Sequence, residues 1–185
     1  MPADGPRGTE GARGNGADPP RGFPPKGVAG GIVAAIVIAD QWTKSLVEEH
    51  VPLYGGVPVI DGFLDLIHVR NTGVAFGLLN SVDIPFKAGL MTAVALAALV
   101  ALGLYATQLS PRETLARFGL TLIAGGAVGN LIDRATAGYV VDFIDVYWGG
   151  WHFWAFNVAD AAITVGASCL IFELLFLKRH VPEAA

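Results

Sequence analysis

Four apolar stretches fill most of a chain of 185 residues, and they constrain its fold more than any other feature. They are Val28 to Val47, 87 to 107, roughly 118 to 137 and roughly 155 to 177. A helix of ~20 residues is ~30 Å long, the thickness of a bilayer's hydrocarbon core. Such runs are too long for ordinary strands and carry too few polar residues to be water-facing helices. They predict a mainly α membrane protein with four transmembrane helices.

Composition agrees. The chain is 53% hydrophobic and only 15% charged, a balance that belongs to an integral membrane protein rather than a soluble domain. The net charge of −4 leaves no basic footprint for a nucleic acid. The one cysteine, Cys169, lies inside an apolar run and reads as a small packing residue. No CxxC or HExxH spacing occurs and the four histidines are scattered, so no metal or cofactor is expected.

Residues 1–27 are rich in Gly, Pro, Ala and Arg and cannot bury enough apolar surface to fold, so a disordered tail is expected there. The domain proper runs from 28 to 177, followed by a short tail, 178–185. Between the first two runs, residues 48–86 carry Gly-Gly, Pro and Asp-Gly punctuation and a partly alternating Phe63-Leu-Asp-Leu-Ile-His-Val69. Two or three short strands are predicted there. Between the last two runs, Trp148-Gly149-Gly150-Trp151 is an aromatic turn, because paired glycines reverse a chain at little steric cost.

Basic residues orient the spans. The N-terminal tail carries Arg7, Arg13, Arg21 and Lys26, the loop at 108–117 carries Arg112 and Arg117, and the C-terminal tail carries Lys178 and Arg179. Of Lys and Arg, the 48–86 connection carries only Arg70 and the 138–154 connection carries none. Lys and Arg accumulate on the cytoplasmic side, so both termini are expected in the cytoplasm. In that topology every unusual polar residue converges on the outer face: Asp40, Lys44, Asn71, Asn130, Asp133, Arg134, Asp142 and Asp160.

Charged residues within spans are costly and mark function, but each has a bland alternative. Asp40 and Lys44, four apart on one helix face, are either a structural pair or a substrate contact. Asn130 and Arg134 are also four apart, and Arg134 can clamp a carboxylate, a lipid phosphate or the fold itself. Asp133 reads as lying on a different face and outside the chemistry. Glu173 reads as a snorkelling side chain, and Asp61, Asp65 and Asp145 as solvated loop carboxylates. Gly125, Gly126 and Gly129 form a small-residue face for close helix packing. The tryptophans around the turn are either an interfacial belt or the lining of a groove. Asp142 in Val-Val-Asp-Phe and Asp160 in Phe-Asn-Val-Ala-Asp are apolar-flanked carboxylates that the Gly-Gly reversal can bring together. Two carboxylates in a poorly hydrated site share a proton, which suits acid–base catalysis and equally an ion pathway.

Four motifs taken in order narrow that choice: Asp40-Gln-Trp-Thr-Lys44, Asn71-Thr-Gly-Val-Ala-Phe76, Gly129-Asn-Leu-Ile-Asp-Arg134 with Val140-Val-Asp-Phe143, and Phe156-Asn-Val-Ala-Asp160. Together, over about residues 28 to 177, they resemble the lipoprotein signal peptidase (signal peptidase II) family. The first 27 residues have no counterpart in that pattern. The resemblance implies an aspartyl peptidase of four transmembrane helices with a small extracytoplasmic β-sheet cradle. It implies that Asp142 and Asp160 are the catalytic dyad, supported by Asp40, Lys44, Asn71, Gly73, Asn130, Arg134 and Asn157, with no metal or cofactor. It further implies a bacterial cytoplasmic (inner) membrane location. The implied substrate is a diacylglyceryl-modified prolipoprotein cut just before its lipidated cysteine, its lipid tails remaining in the bilayer. Inhibition by globomycin-type cyclic peptides is implied as well. On this reading one Asp takes a proton from water while the other donates to the carbonyl oxygen, and Asn157 orients the Asp160 carboxylate.

Overall fold

The computed structural model describes residues 24–73 and 86–177. Of the tail expected at 1–27, residues 1–23 lie outside the described residues, as do 178–185 and 74–85 with the motif's Val74-Ala75-Phe76, while Lys26 and Gly27 are already helical rather than part of a tail.

Helix α1 (Lys26–His50) begins directly after Pro25 and ends at Val51, before Pro52, which disfavours further helix. It is longer at both ends than the apolar run. Its buried residues are Asp40, Lys44 and Val47, a single stripe at helical spacing that is ionic and then apolar. Strands β1 (Gly56–Ile60) and β2 (Leu64–Asn71) form a hairpin over Asp61-Gly62-Phe63, where Gly62 takes a positive φ of 79°. The predicted strands are therefore present, and β2 ends at Asn71.

Helices α2 (Lys87–Gln108) and α3 (Thr114–Thr136) follow. Then comes strand β3 (Val140–Trp148), where the sequence suggested only the approach to a turn. β3 pairs antiparallel with β2 and, through the Gly149-Gly150 reversal, with β4 (Trp151–His152). Both glycines have positive φ, 56° and 86°, as a tight two-residue hairpin demands. The sheet order is β1-β2-β3-β4. Helix α4 (Val158–Phe172) closes the fold and runs into a turn of π-helix, Glu173–Leu177.

α3 is the centre of the helical part and packs against α1, α2 and α4. Its glycines permit that. A Cβ on Gly126 would collide with the backbone carbonyl of Ala159, and one on Gly119 would sit 2.5 Å from the Gly166 oxygen. The small-residue face thus brings α3 and α4 backbone to backbone. One end of the bundle carries the sheet. There Val47 and Val51 of α1 pack with Val141 and Phe143 of β3.

Three helical segments are long and apolar enough to cross a membrane: Lys87–Gln108, Thr114–Thr136 and Val158–Leu177. α2 buries only Met91 and turns Val94, Val100 and Leu104 outward. Water would oppose that surface and hydrocarbon accepts it. The chain is a multi-pass membrane protein.

Candidate active site

Side chains alternate across a strand. Val141 and Phe143 enter the core, so Asp142 between them points to the opposite face of β3, yet it is only 3% exposed. Its Oδ1 accepts from Asn157 Nδ2 at 2.7 Å and its Oδ2 from Asn71 Nδ2 at 3.0 Å. Asn71 reaches it because the register places the end of β2 against the start of β3.

Asp160 sits in the first turn of α4, where the helix dipole favours a carboxylate. Asn157 caps that helix, its Oδ1 accepting from the Asp160 backbone N at 2.9 Å. The Asp160 Oδ1 accepts from Asn130 Nδ2 at 2.7 Å. Asn157 Nδ2 also donates to Asn130 Oδ1 at 3.2 Å. Two amides therefore join the carboxylates of Asp142 and Asp160, which arrive on a strand and a helix.

Beneath this mesh lies a buried ion cluster. Lys44 Nζ contacts Asp40 Oδ2 at 2.7 Å, Asp133 Oδ2 at 2.8 Å and Asn130 Oδ1 at 2.9 Å. Asp40 Oδ1 accepts from the backbone N of Ala159 at 2.9 Å, a second cap on α4. Gly129 makes room for that carboxylate, since a Cβ there would lie 2.7 Å from Asp40 Oδ2. On the other flank, Arg134 donates to the Gly73 carbonyl at 3.2 Å, and the Gly73 N–H donates to Asn71 Oδ1 at 2.9 Å. All nine residues singled out from the sequence thus belong to one connected neighbourhood.

Burial pushes the Asp142 carboxyl up to about 7, and the negative charge of Asp160 adds to the effect. The amides of Asn71 and Asn157 and the charge of Lys44 pull the other way. Among the described residues no cluster of three or more His, Cys, Asp or Glu is arranged to hold a metal ion.

Several expectations need correction. Asn157 does not orient the Asp160 carboxylate; its amide holds Asp142, and Asn130 holds Asp160. Asp133 is not apart from the site, for it is buried against Lys44 and accepts from Gln41 Nε2 at 2.7 Å. Residues three and four apart on a helix flank the same face, so Asp133 and Arg134 both neighbour Asn130. Gln41 was missed, although it lies three residues before Lys44. Glu173 does not snorkel; it is 7% exposed and accepts from the Ala116 backbone N in the first turn of α3. Asp145 is not a solvated loop residue but a buried strand residue bonded to His152 Nδ1 at 2.8 Å. Asp65 likewise stands on β2 and accepts from the Tyr147 hydroxyl.

The profile of the family described as Signal peptidase (SPase) II matches residues 32–176. The chain belongs to the signal peptidase II family. It is 47% identical over 153 residues to a lipoprotein signal peptidase of Nitratidesulfovibrio vulgaris (strain DP4), covering 83% of this chain and 91% of that one. It is 41% identical over 149 residues to a lipoprotein signal peptidase of Geobacter metallireducens, covering 80% and 91%. A solved bacterial membrane enzyme, determined by the in meso method at 2.3 Å resolution, superposes with a TM-score of 0.77. That match has 30% identity and covers 89% of this chain and 96% of the other. As a signal peptidase II family member the chain is a peptidase, and the site must account for hydrolysis of a peptide bond.

Proposed function

We propose that this protein is an aspartic endopeptidase that removes the signal peptide from diacylglyceryl-modified prolipoproteins, cutting just before the lipidated cysteine. Asp142 and Asp160 are the catalytic pair. The observation that carries this reading is the amide mesh: Asn157 and Asn130 tie both carboxylates into one buried site. An Asp142 carboxyl at about 7 supports a proton held on the pair near neutral pH.

In the reaction, one carboxylate takes a proton from water while the other gives its proton to the scissile carbonyl oxygen. Attack of the water oxygen on the carbonyl carbon yields a tetrahedral diol. The C–N bond then breaks, and a proton passes to the amine of the lipidated cysteine. Asn71, Asn130 and Asn157 fix the two carboxylates. Asp40 and Lys44 brace Asn130 and the start of α4. Arg134 holds the carbonyl of Gly73, whose N–H in turn holds the side-chain oxygen of Asn71.

α1 is the fourth span in this reading, its Asp40 and Lys44 sheltered against α3 rather than facing lipid. Residues 28–177 are the peptidase domain, with both tails in the cytoplasm of a bacterium. The sheet and the site stand at the outer face of the cytoplasmic membrane, where the substrate arrives with its acyl chains in the bilayer. Globomycin-type cyclic peptides are the expected inhibitors.

The test is gel-shift processing of a diacylglyceryl-modified precursor by purified protein. Asp142→Asn and Asp160→Asn should fold and lose at least about 1,000-fold in rate, consistent with loss of a positioned acid–base group. Globomycin should block the unsubstituted protein. Full activity in either variant would remove the reading.

A further inference from the structure

We infer that Asp133 is a positioning residue for the Asp160 carboxylate, acting through Lys44 and Asn130. The inference rests on the peptidase reading above and extends it to a side chain that touches neither member of the pair. Four contacts in series carry it. Gln41 Nε2 donates to Asp133 Oδ1 at 2.7 Å. Asp133 Oδ2 contacts Lys44 Nζ at 2.8 Å. Lys44 Nζ donates to Asn130 Oδ1 at 2.9 Å. Asn130 Nδ2 donates to Asp160 Oδ1 at 2.7 Å.

An amide has one accepting end and one donating end. The ammonium of Lys44 at 2.9 Å and, more weakly, the Asn157 amide N–H at 3.2 Å both meet the accepting end of Asn130, so the donating end must face Asp160. Reversing the amide would set its N–H groups against an ammonium and its oxygen against a carboxylate. The position of that ammonium is in turn set by two carboxylates, Asp40 from its own helix and Asp133 from α3. Asp40 alone would hold Lys44 along α1. Asp133 draws it across to α3, the helix that carries Asn130.

Two carboxylates around one ammonium leave an excess negative charge in a buried place, which normally costs several kcal/mol per ion. The structure relieves this on the Asp133 side. A cavity of about 110 Å³ is lined by Gln41, Lys44, Ser45, Glu48, Asp133 and Thr136 among others, and by neither Asp142 nor Asp160. It is polar and large enough for several water molecules. The cavity reaches Asp133 but does not open onto Asp142 or Asp160. Asp133 also accepts weakly from the Val141 backbone N at 3.4 Å, next to Asp142 on β3.

The experiment measures kcat and KM against pH for the full chain in detergent, with Asp133→Asn as the principal variant. Misplacement of a reacting group costs on the order of 10-fold to 100-fold in rate, so kcat should fall by that factor. KM should hold, because Asp133 meets no substrate. The charge of Lys44 draws the Asp142 carboxyl down. Asp133 offsets part of that charge, so its neutralisation should move the alkaline limb of the rate profile to lower pH. A Gln41→Leu variant keeps every charge and should lower kcat with no displacement of the limb. An unmoved limb in a folded Asp133→Asn protein, or a kcat loss that only follows a lowered Tm, would overturn the inference. If Asp133→Asn does not fold, an unchanged kcat in Gln41→Leu overturns it instead. Activity retained by Asp142→Asn or Asp160→Asn would overturn the peptidase reading itself, so the two failures are distinguishable.

Discussion

Asn157 donates its amide N–H to Oδ1 of Asp142 at 2.7 Å, and it is fully buried while doing so. The same side chain caps α4 through its oxygen. One residue therefore serves both the helix and the site, and a substitution can separate the two tasks. Serine at a helix N-cap accepts about as well as asparagine but cannot span the distance to Asp142. Asn157→Ser should keep Tm within a few degrees while lowering kcat by about 10-fold to 100-fold, the scale of a misplaced reacting group. Asn157→Ala should lose the cap as well, at a cost of about 1 kcal/mol. Thermal melts alongside precursor cleavage read both quantities.

The Asp142 carboxyl is raised from 3.8 to about 7. The folded protein thus binds a proton that the unfolded chain has released between those values. Its contribution to stability is fully present below about pH 4 and lost as pH rises through about 7. Tm should fall across that window, and the fall should be shallower in Asp142→Asn. Activity, which needs one proton on the pair, should decline above about pH 7. Asn71 opposes the raised value by bonding to the charged form, so Asn71→Ala should move that decline to higher pH. A decline displaced to lower pH would contradict this assignment.

Lys44 bridges Asp40 and Asp133 at once. Lys44→Met would leave both carboxylates buried without their cation. Breaking a buried pair costs about 3–5 kcal/mol, so a large fall in Tm is expected. Adding Asp40→Asn to Lys44→Met should recover part of it. Scanning calorimetry of the single and double variants gives the answer.

The glycines of α3 differ from those of α2 in what surrounds them. A Cβ on Gly126 would strike the Ala159 carbonyl, whereas nothing lies within 4 Å of one on Gly103. Gly126→Ala should destabilise by about 1–3 kcal/mol through overpacking. Gly103→Ala should be neutral or stabilising by up to about 1 kcal/mol, the helix-propensity difference. Equal melting curves for the two variants would refute the close approach of α3 and α4.

Much of this arrangement was legible in the sequence because membrane spans and short motifs are local signals. The runs at 87–107 and 118–137 correspond to α2 and α3, and Gly149-Gly150 reverses the chain as paired glycines can. The identity of β3 was not legible. Val140-Val-Asp-Phe-Ile-Asp-Val-Tyr-Trp148 lacks clean alternation, because Asp142 and Asp145 fall on opposite faces and both are buried. The roles of Asp133, Gln41 and Glu173 were hidden for a different reason. Each depends on which helices become neighbours, and periodicity within one helix does not say that. A closer count would still have put Gln41 beside Lys44, and Asp133 beside Asn130, as residues three apart on their helices.

The seam of Gly119, Gly126 and Gly166 has an effect on traffic as well as on packing. Carbonyl oxygens of one helix occupy the space where a methyl group of the other would stand. No hydrocarbon chain can thread that joint. If the substrate is a guest tethered in the bilayer, as proposed above, it must enter from another quarter, and on this side the enzyme presents a wall rather than a door.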